Sequence, residues 1–203
     1  ANRLGTNSLL DLVVFGKAAG DHIIDYVRQS TNDYKPLPKK VLQATMSRVD
    51  RLQGSSQGEN AQDVADDIRQ IMQTHAGVFR TQASMDEGVK KILALAPRIK
   101  NIHLKDKSQV FNTARVEALE VENLYEAAKA TMISAAARKE CRGAHTVVDY
   151  EHPADHPTMA NGRNDAEWRK HTLWYSADNR LIYKPVRTKP LTVDPIPLAP
   201  RTF

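Results

Sequence analysis

Residues 112–138 read NTARVEALEVENLYEAAKATMISAAAR, the longest uninterrupted helical pattern in the chain. Val116, Leu119, Val121, Leu124, Ala127, Ala128 and Ile133 recur at spacings that place apolar groups along one helix. The many alanines predict close packing against neighbouring helices. Such a stripe is core, not a cofactor-binding surface. Upstream, the same periodicity predicts helices over 84–100, 60–75, 39–53 and 7–29. In the first two, Val89, Ile92, Leu93 and Leu95, then Val64, Ile68, Ile71 and Met72, supply the inward faces. Pro97 should loosen the end of the 84–100 helix. Gly77 reads as a helix stop, and 54–58 (GSSQG) as a break. The helices over 39–138 have the lengths and connections of an antiparallel bundle of four.

After Gly143 the texture changes. Prolines and histidines crowd 152–157, and Asn161-Gly162 marks a turn. Alternating segments at 168–175 and 181–186 flank Asp178-Asn179 and predict a β-hairpin. The expected class is therefore mainly α with a small α+β tail. The expected divisions are 1–30, 31–143 and 144–203: a lone helix, a helical bundle and a small β-containing domain.

The chain has 203 residues, 41% hydrophobic and 26% charged, enough apolar material to offset the ordering entropy of a folded domain. Its single cysteine, Cys141, excludes an internal disulfide. No stretch approaches the roughly 20 apolar residues of a membrane-spanning helix. The net charge of +5 is spread among interspersed acids, without a basic stripe carrying aromatics, which argues against nucleic-acid binding.

The chemistry-bearing stretch is the start, 1–11, ANRLGTNSLLD. Gly5 permits close approach of backbone to a ligand. Asn7 or Ser8 caps the helix that follows, with Asp11 three residues after Ser8. A helix N-terminus presents unpaired N–H groups and favours an anion or an electron-rich carbonyl. Arg3, just upstream, carries the forked donors that grip a carboxylate. An ordinary capped helix with a surface arginine has the same pattern. The chain opens on Ala1 and enters this helix almost at once, which reads as the downstream piece of a longer polypeptide.

ANRLGTNSLLDLVVFGKAAG, 1–20, closely resembles a segment of the flavoprotein subunit of succinate dehydrogenase and fumarate reductase. FNTARVE at 111–117, CRGAH at 141–145, WRKHTL at 168–173, KPLTV at 189–193 and the closing PRTF resemble further segments of that family, in its order. The resemblance implies the C-terminal portion of the subunit: the last helix of an FAD domain, the helical domain and the small C-terminal domain. It implies that Arg3 binds a carboxylate of succinate or fumarate. It implies that Ser8 and Leu9 contact FAD, where a helix N-terminus stabilises negative charge on the reduced ring. It implies hydride transfer from succinate to FAD. It also implies electron transfer through an iron–sulfur subunit to quinone in a membrane anchor, on the cytoplasmic face of a bacterial inner membrane or the matrix face of the mitochondrial one. No Gly-x-Gly-x-x-Gly fingerprint occurs here, so the chain alone is expected to be catalytically incompetent. L-Aspartate oxidase, a relative sharing the loop and helix, is the alternative. A helical interaction module without enzymatic activity is the other.

Other sites are weaker. His145, His152, His156 and His171 suggest a metal cluster, but Pro153 and Pro157 disfavour a helical ligand pair. At the RGAH position, Arg142 and His145 are expected to hold a turn between the helical and tail domains. Cys141 beside Arg142 is either an activated thiol or a buried, inert one.

Overall fold

The computed structural model describes residues 7–30, 36–151, 162–190, 192–195 and 197. The chain divides into two compact units, Ala1–Asp50 and Arg51–Phe203. The first contains α1 (Asn7–Gln29) and the start of α2 (Lys39–Gly54). Both helices carry exposed apolar side chains, among them Leu12, Val13 and Phe15 in α1 and Val41, Leu42 and Met46 in α2.

The second unit is built on α3 (Ala61–His75), α4 (Gln82–Ala94) and α6 (Thr113–Ala137), which pack on one another pairwise. Each of the three has a side-chain N-cap. Asn60 accepts from the Gln62 N–H at 2.8 Å, Thr81 from Ser84 at 3.2 Å and Asn112 from Arg115 at 2.8 Å. The core joins Leu52, Val64, Ile68, Ile92, Leu95 and Ile99 to Ala118, Val121, Tyr125, Ala128 and Met132. At its tightest point a Cβ on Gly88 of α4 would lie 2.6 Å from His75 Cβ and 2.7 Å from Met132 Sδ, so all three helices meet there.

Within the second unit the bundle is made by α3, α4 and α6, with Leu52 from the last turn of α2 in its core. Two details differ from expectation. The predicted 84–100 helix is two. α4 ends at Ala94, and α5 (Ala96–Lys100) restarts with proline in its first turn. Pro97 lacks the N–H that would continue the ladder. The buried stripe of α6 is Ala118, Val121, Tyr125, Ala128, Met132 and Ala135, while Val116 is exposed. Small residues at this seam let the helices approach closely, and the larger aliphatics flank it.

Short elements complete the unit. β1 (Phe79–Arg80) pairs in parallel with β2 (Thr146–Val147), Phe79 opposite Thr146. α7 (Val148–Glu151) and α8 (Asp165–Trp168) precede the expected hairpin, β3 (Lys170–Tyr175) and β4 (Arg180–Pro185). The hairpin is antiparallel, with Lys170 opposite Pro185 and Tyr175 opposite Arg180. Its turn runs through Asp178, whose carboxylate accepts from the Arg180 N–H at 3.1 Å, and Asn179, at φ 57°. Lys129 of α6 ties the hairpin down: its ammonium lies 5.1 Å from the Tyr125 ring and 5.4 Å from the Trp174 ring. Among the described residues no helix is long and apolar enough to cross a membrane.

Candidate functional site

Of the predicted site residues, Arg3 lies outside the described residues. Ser8 and Leu9 stand in the first turn of α1. Ser8 is half-buried, and Leu9 is 63% exposed. The first turn carries no acidic side chain, and the N–H groups of a helix's first turn have no partner within the helix. That donor set fits an electron-rich carbonyl or an anionic ring edge, as a flavin presents. Leu9, Leu10, Leu12, Val13, Val14 and Phe15 are all at least half exposed. They form a broad apolar surface over the first half of the helix, whereas the second half also carries charge, including the exposed Lys17–Asp21 pair.

The second unit holds a polar cluster at the end of α6. Arg138 turns the chain out of the helix, and its guanidinium donates to the carbonyls of Trp168 (3.0 Å) and Lys170 (2.7 Å) and to Thr172 Oγ1 (3.1 Å). Glu140 is fully buried. Its carboxylate accepts from Arg138 Nη1 at 2.5 Å, Arg142 Nε at 2.7 Å and the Asn164 N–H at 2.9 Å. Arg142 also reaches Asp165 at 2.6 Å, which Arg163 grips from its other side at 2.6 Å. The Arg163 and Arg142 guanidiniums hold the Asp165 carboxyl down at about 2. Among the described residues three guanidiniums thus face two carboxylates.

The expected turn at 142–145 is present. The Arg142 N–H donates to the His145 carbonyl at 2.9 Å and the reverse bond is 3.0 Å, with Gly143 at φ 61°. Arg80 Nη1 lies 2.9 Å from His145 Nδ1, and His145 Nε2 lies 3.1 Å from the Arg138 carbonyl. An arginine only donates and a carbonyl only accepts, so Nδ1 is the acceptor and Nε2 carries the proton. Burial, and then the Arg80 and Arg138 charges, push the imidazole below its ordinary value. The two together hold β1 against the turn.

Cys141 is buried. Its thiol donates to the Val147 carbonyl at 3.2 Å, and the Val147 N–H reaches Sγ at 3.3 Å. His171 is exposed on β3, while His152 and His156 lie outside the described residues. Among the described residues no group of three or more His, Cys, Asp or Glu side chains is placed to hold a metal. Sequence reasoning passed over Arg80, Arg138, Glu140, Arg163 and Asp165. Their only local sign is the alternation Arg138, Glu140, Arg142 before a glycine, which also suits a solvated loop.

The second unit is thus a three-helix bundle clamped to a hairpin by ion pairs around a buried glutamate, and the first carries a helix with exposed apolar side chains. Comparison with known proteins gives the family. Residues 65–203 match the family described as "Fumarate reductase flavoprotein C-term". The chain belongs to this family. It is 41% identical over 209 residues to the succinate dehydrogenase flavoprotein subunit of Rickettsia bellii, covering 100% of this chain and 33% of that one. It is 39% identical over 197 residues to that of Coxiella burnetii, covering 97% and 32%. A solved quinol–fumarate reductase with menaquinol molecules superposes with a TM-score of 0.79 at 32% identity, covering 97% of this chain and 33% of that one. The chain therefore spans about a third of the length of the relatives it matches.

Proposed function

We propose that this chain forms part of a succinate dehydrogenase flavoprotein subunit that oxidises succinate to fumarate with FAD. The observation that carries the reading is the collinear likeness to such subunits along the whole chain, 41% identical over 209 residues. The chemistry of α1 is consistent with it. Ser8 and Leu9 hold the flavin at the helix N-terminus, where the unpaired N–H groups favour the negative charge of the reduced ring. Arg3 grips one carboxylate of the dicarboxylate and orients it. FAD, when bound, supplies the hydride acceptor. The apolar side chains of α1 exclude water once covered. The oxidised dicarboxylate leaves as fumarate, and the electrons pass through an iron–sulfur subunit to quinone held by membrane anchor subunits. The flavoprotein itself docks peripherally on the cytoplasmic or matrix face of the membrane. The names of the relatives favour this reading over an L-aspartate oxidase.

The test uses the complete flavoprotein polypeptide that contains this chain, assayed with succinate and with L-aspartate. Succinate is the expected substrate. Arg3→Lys keeps the charge and loses the fork. It should lower kcat/KM for succinate roughly 10- to 100-fold, the worth of a charge-assisted hydrogen bond of ~1.5–3 kcal/mol, with flavin content unchanged. Oxidation of L-aspartate in preference, or full activity of Arg3→Lys, overturns the proposal. The 203-residue chain alone, given FAD, should not oxidise succinate.

A further inference from the structure

Beyond the last ladder pair of the hairpin, Lys170 opposite Pro185, the two chain segments part and enclose a cleft of about 570 Å³. Arg142, Arg169, Lys170, His171, Arg187 and Lys189 line it, and none of its described lining residues is acidic. Trp168, Val186 and Pro195 supply apolar wall. Two of the cations are fixed in place. Arg142 is held by Glu140 and Asp165. The Lys170 ammonium stands 4.5 Å from the Trp168 ring and 4.3 Å from the Tyr183 ring. Arg169, Arg187 and Lys189 are exposed at the rim. Arg142 is offset by its two carboxylates, whereas Arg169, Lys170, Arg187 and Lys189 meet no acidic side chain in the cleft's described lining. The volume is that of a small-molecule site.

We propose that this cleft is a binding site for a small, multiply charged anion, a polycarboxylate or an organic phosphate, independent of the flavin reading. Arg187 and Lys189 supply the rim contacts and Arg142 and Lys170 the fixed ones. Val186 and Pro195 pack against the carbon body of the ligand, and the buried Trp168, under Lys170, reports on the cleft.

The test is fluorescence titration of the full 203-residue chain carrying Trp174→Phe, so that Trp168 reports alone. Pyrophosphate and propane-1,2,3-tricarboxylate are the probes, each at constant ionic strength adjusted with sodium chloride. A saturable change is expected with at least one of them, and the stronger of the two identifies the ligand as phosphate or carboxylate. The double variant Arg187→Gln/Lys189→Gln should bind roughly tenfold more weakly, the loss of about one charge-assisted contact, with an unchanged melting midpoint. Arg169→Gln serves in its place if the double variant melts early. A response equal to that of chloride alone, or one that neither variant weakens, overturns the proposal. So does tight binding of a hexaglutamate peptide where both small anions fail, which would assign the cleft to an acidic chain.

Discussion

His145 shows how a single side chain depends on its surroundings. Its Nδ1 accepts from Arg80 and its Nε2–H donates to the Arg138 carbonyl, so the neutral imidazole is the form the fold uses. Its value in the fold is below the ordinary 6.5. The unfolded chain therefore binds the proton more readily, and the contribution of this residue is complete above 6.5 and lost as pH falls through the lower folded value. Melting followed from about pH 8 down to about pH 5 should show stability falling with acid, and His145→Gln should flatten that slope over the same window. The turn itself was legible in the sequence, because Gly143 supplies the positive φ it needs. The partners were not. Arg80 lies 65 positions upstream of His145, and no local rule joins them. Glu140 is similar: flanked by arginines, it reads as a solvated charge, yet it is fully buried, with Arg138 and Arg142 of its own segment and the distant Asn164 N–H all donating to it.

Among the elements, α3, α4 and α6 were readable from periodicity, a local property, whereas their caps Asn60, Thr81 and Asn112 emerge only in the structure. The packing seam was less so. A large aliphatic such as Val116 looks like core from its hydrophobicity, but the closest approach selects small residues, Ala118 and Ala128 of α6 and Gly88 of α4. Gly88→Ala tests this. A helix interior normally gains up to ~1 kcal/mol from that change. Here the added methyl meets His75 Cβ at 2.6 Å and Met132 Sδ at 2.7 Å. The expected net result is a loss of about 1–3 kcal/mol in denaturant unfolding, at unchanged m-value. A gain would mean that Met132 swings aside freely. The break between α4 and α5 has a sequence cause in Pro97. The parallel pairing of β1 with β2 has none, because two-residue strands carry no periodicity.

For the molecule as a whole, the second unit has a closed core, whereas α1 keeps Leu12, Val13 and Phe15 about two-thirds exposed. An apolar surface of that extent drives association. The 203-residue chain should therefore self-associate in sedimentation velocity as concentration rises. Leu12→Gln/Phe15→Gln should return it to monomer without moving the melting transition of the bundle. Monomeric sedimentation of the parent chain at high concentration would count against that role for α1. The sequence by itself determined the main helices, the hairpin and its turn, and, through its ordered likeness to flavoprotein subunits, the family. These rest on neighbours within a few positions, or on residue order, both of which the linear chain displays. Only the tertiary structure decided that α3, α4 and α6 make the bundle of the second unit, that Glu140 is buried among guanidiniums, and that the parting hairpin strands gather cations into a cleft. Each of those depends on which distant segments share space, and burial and electrostatic energy respond to distance in space rather than along the chain.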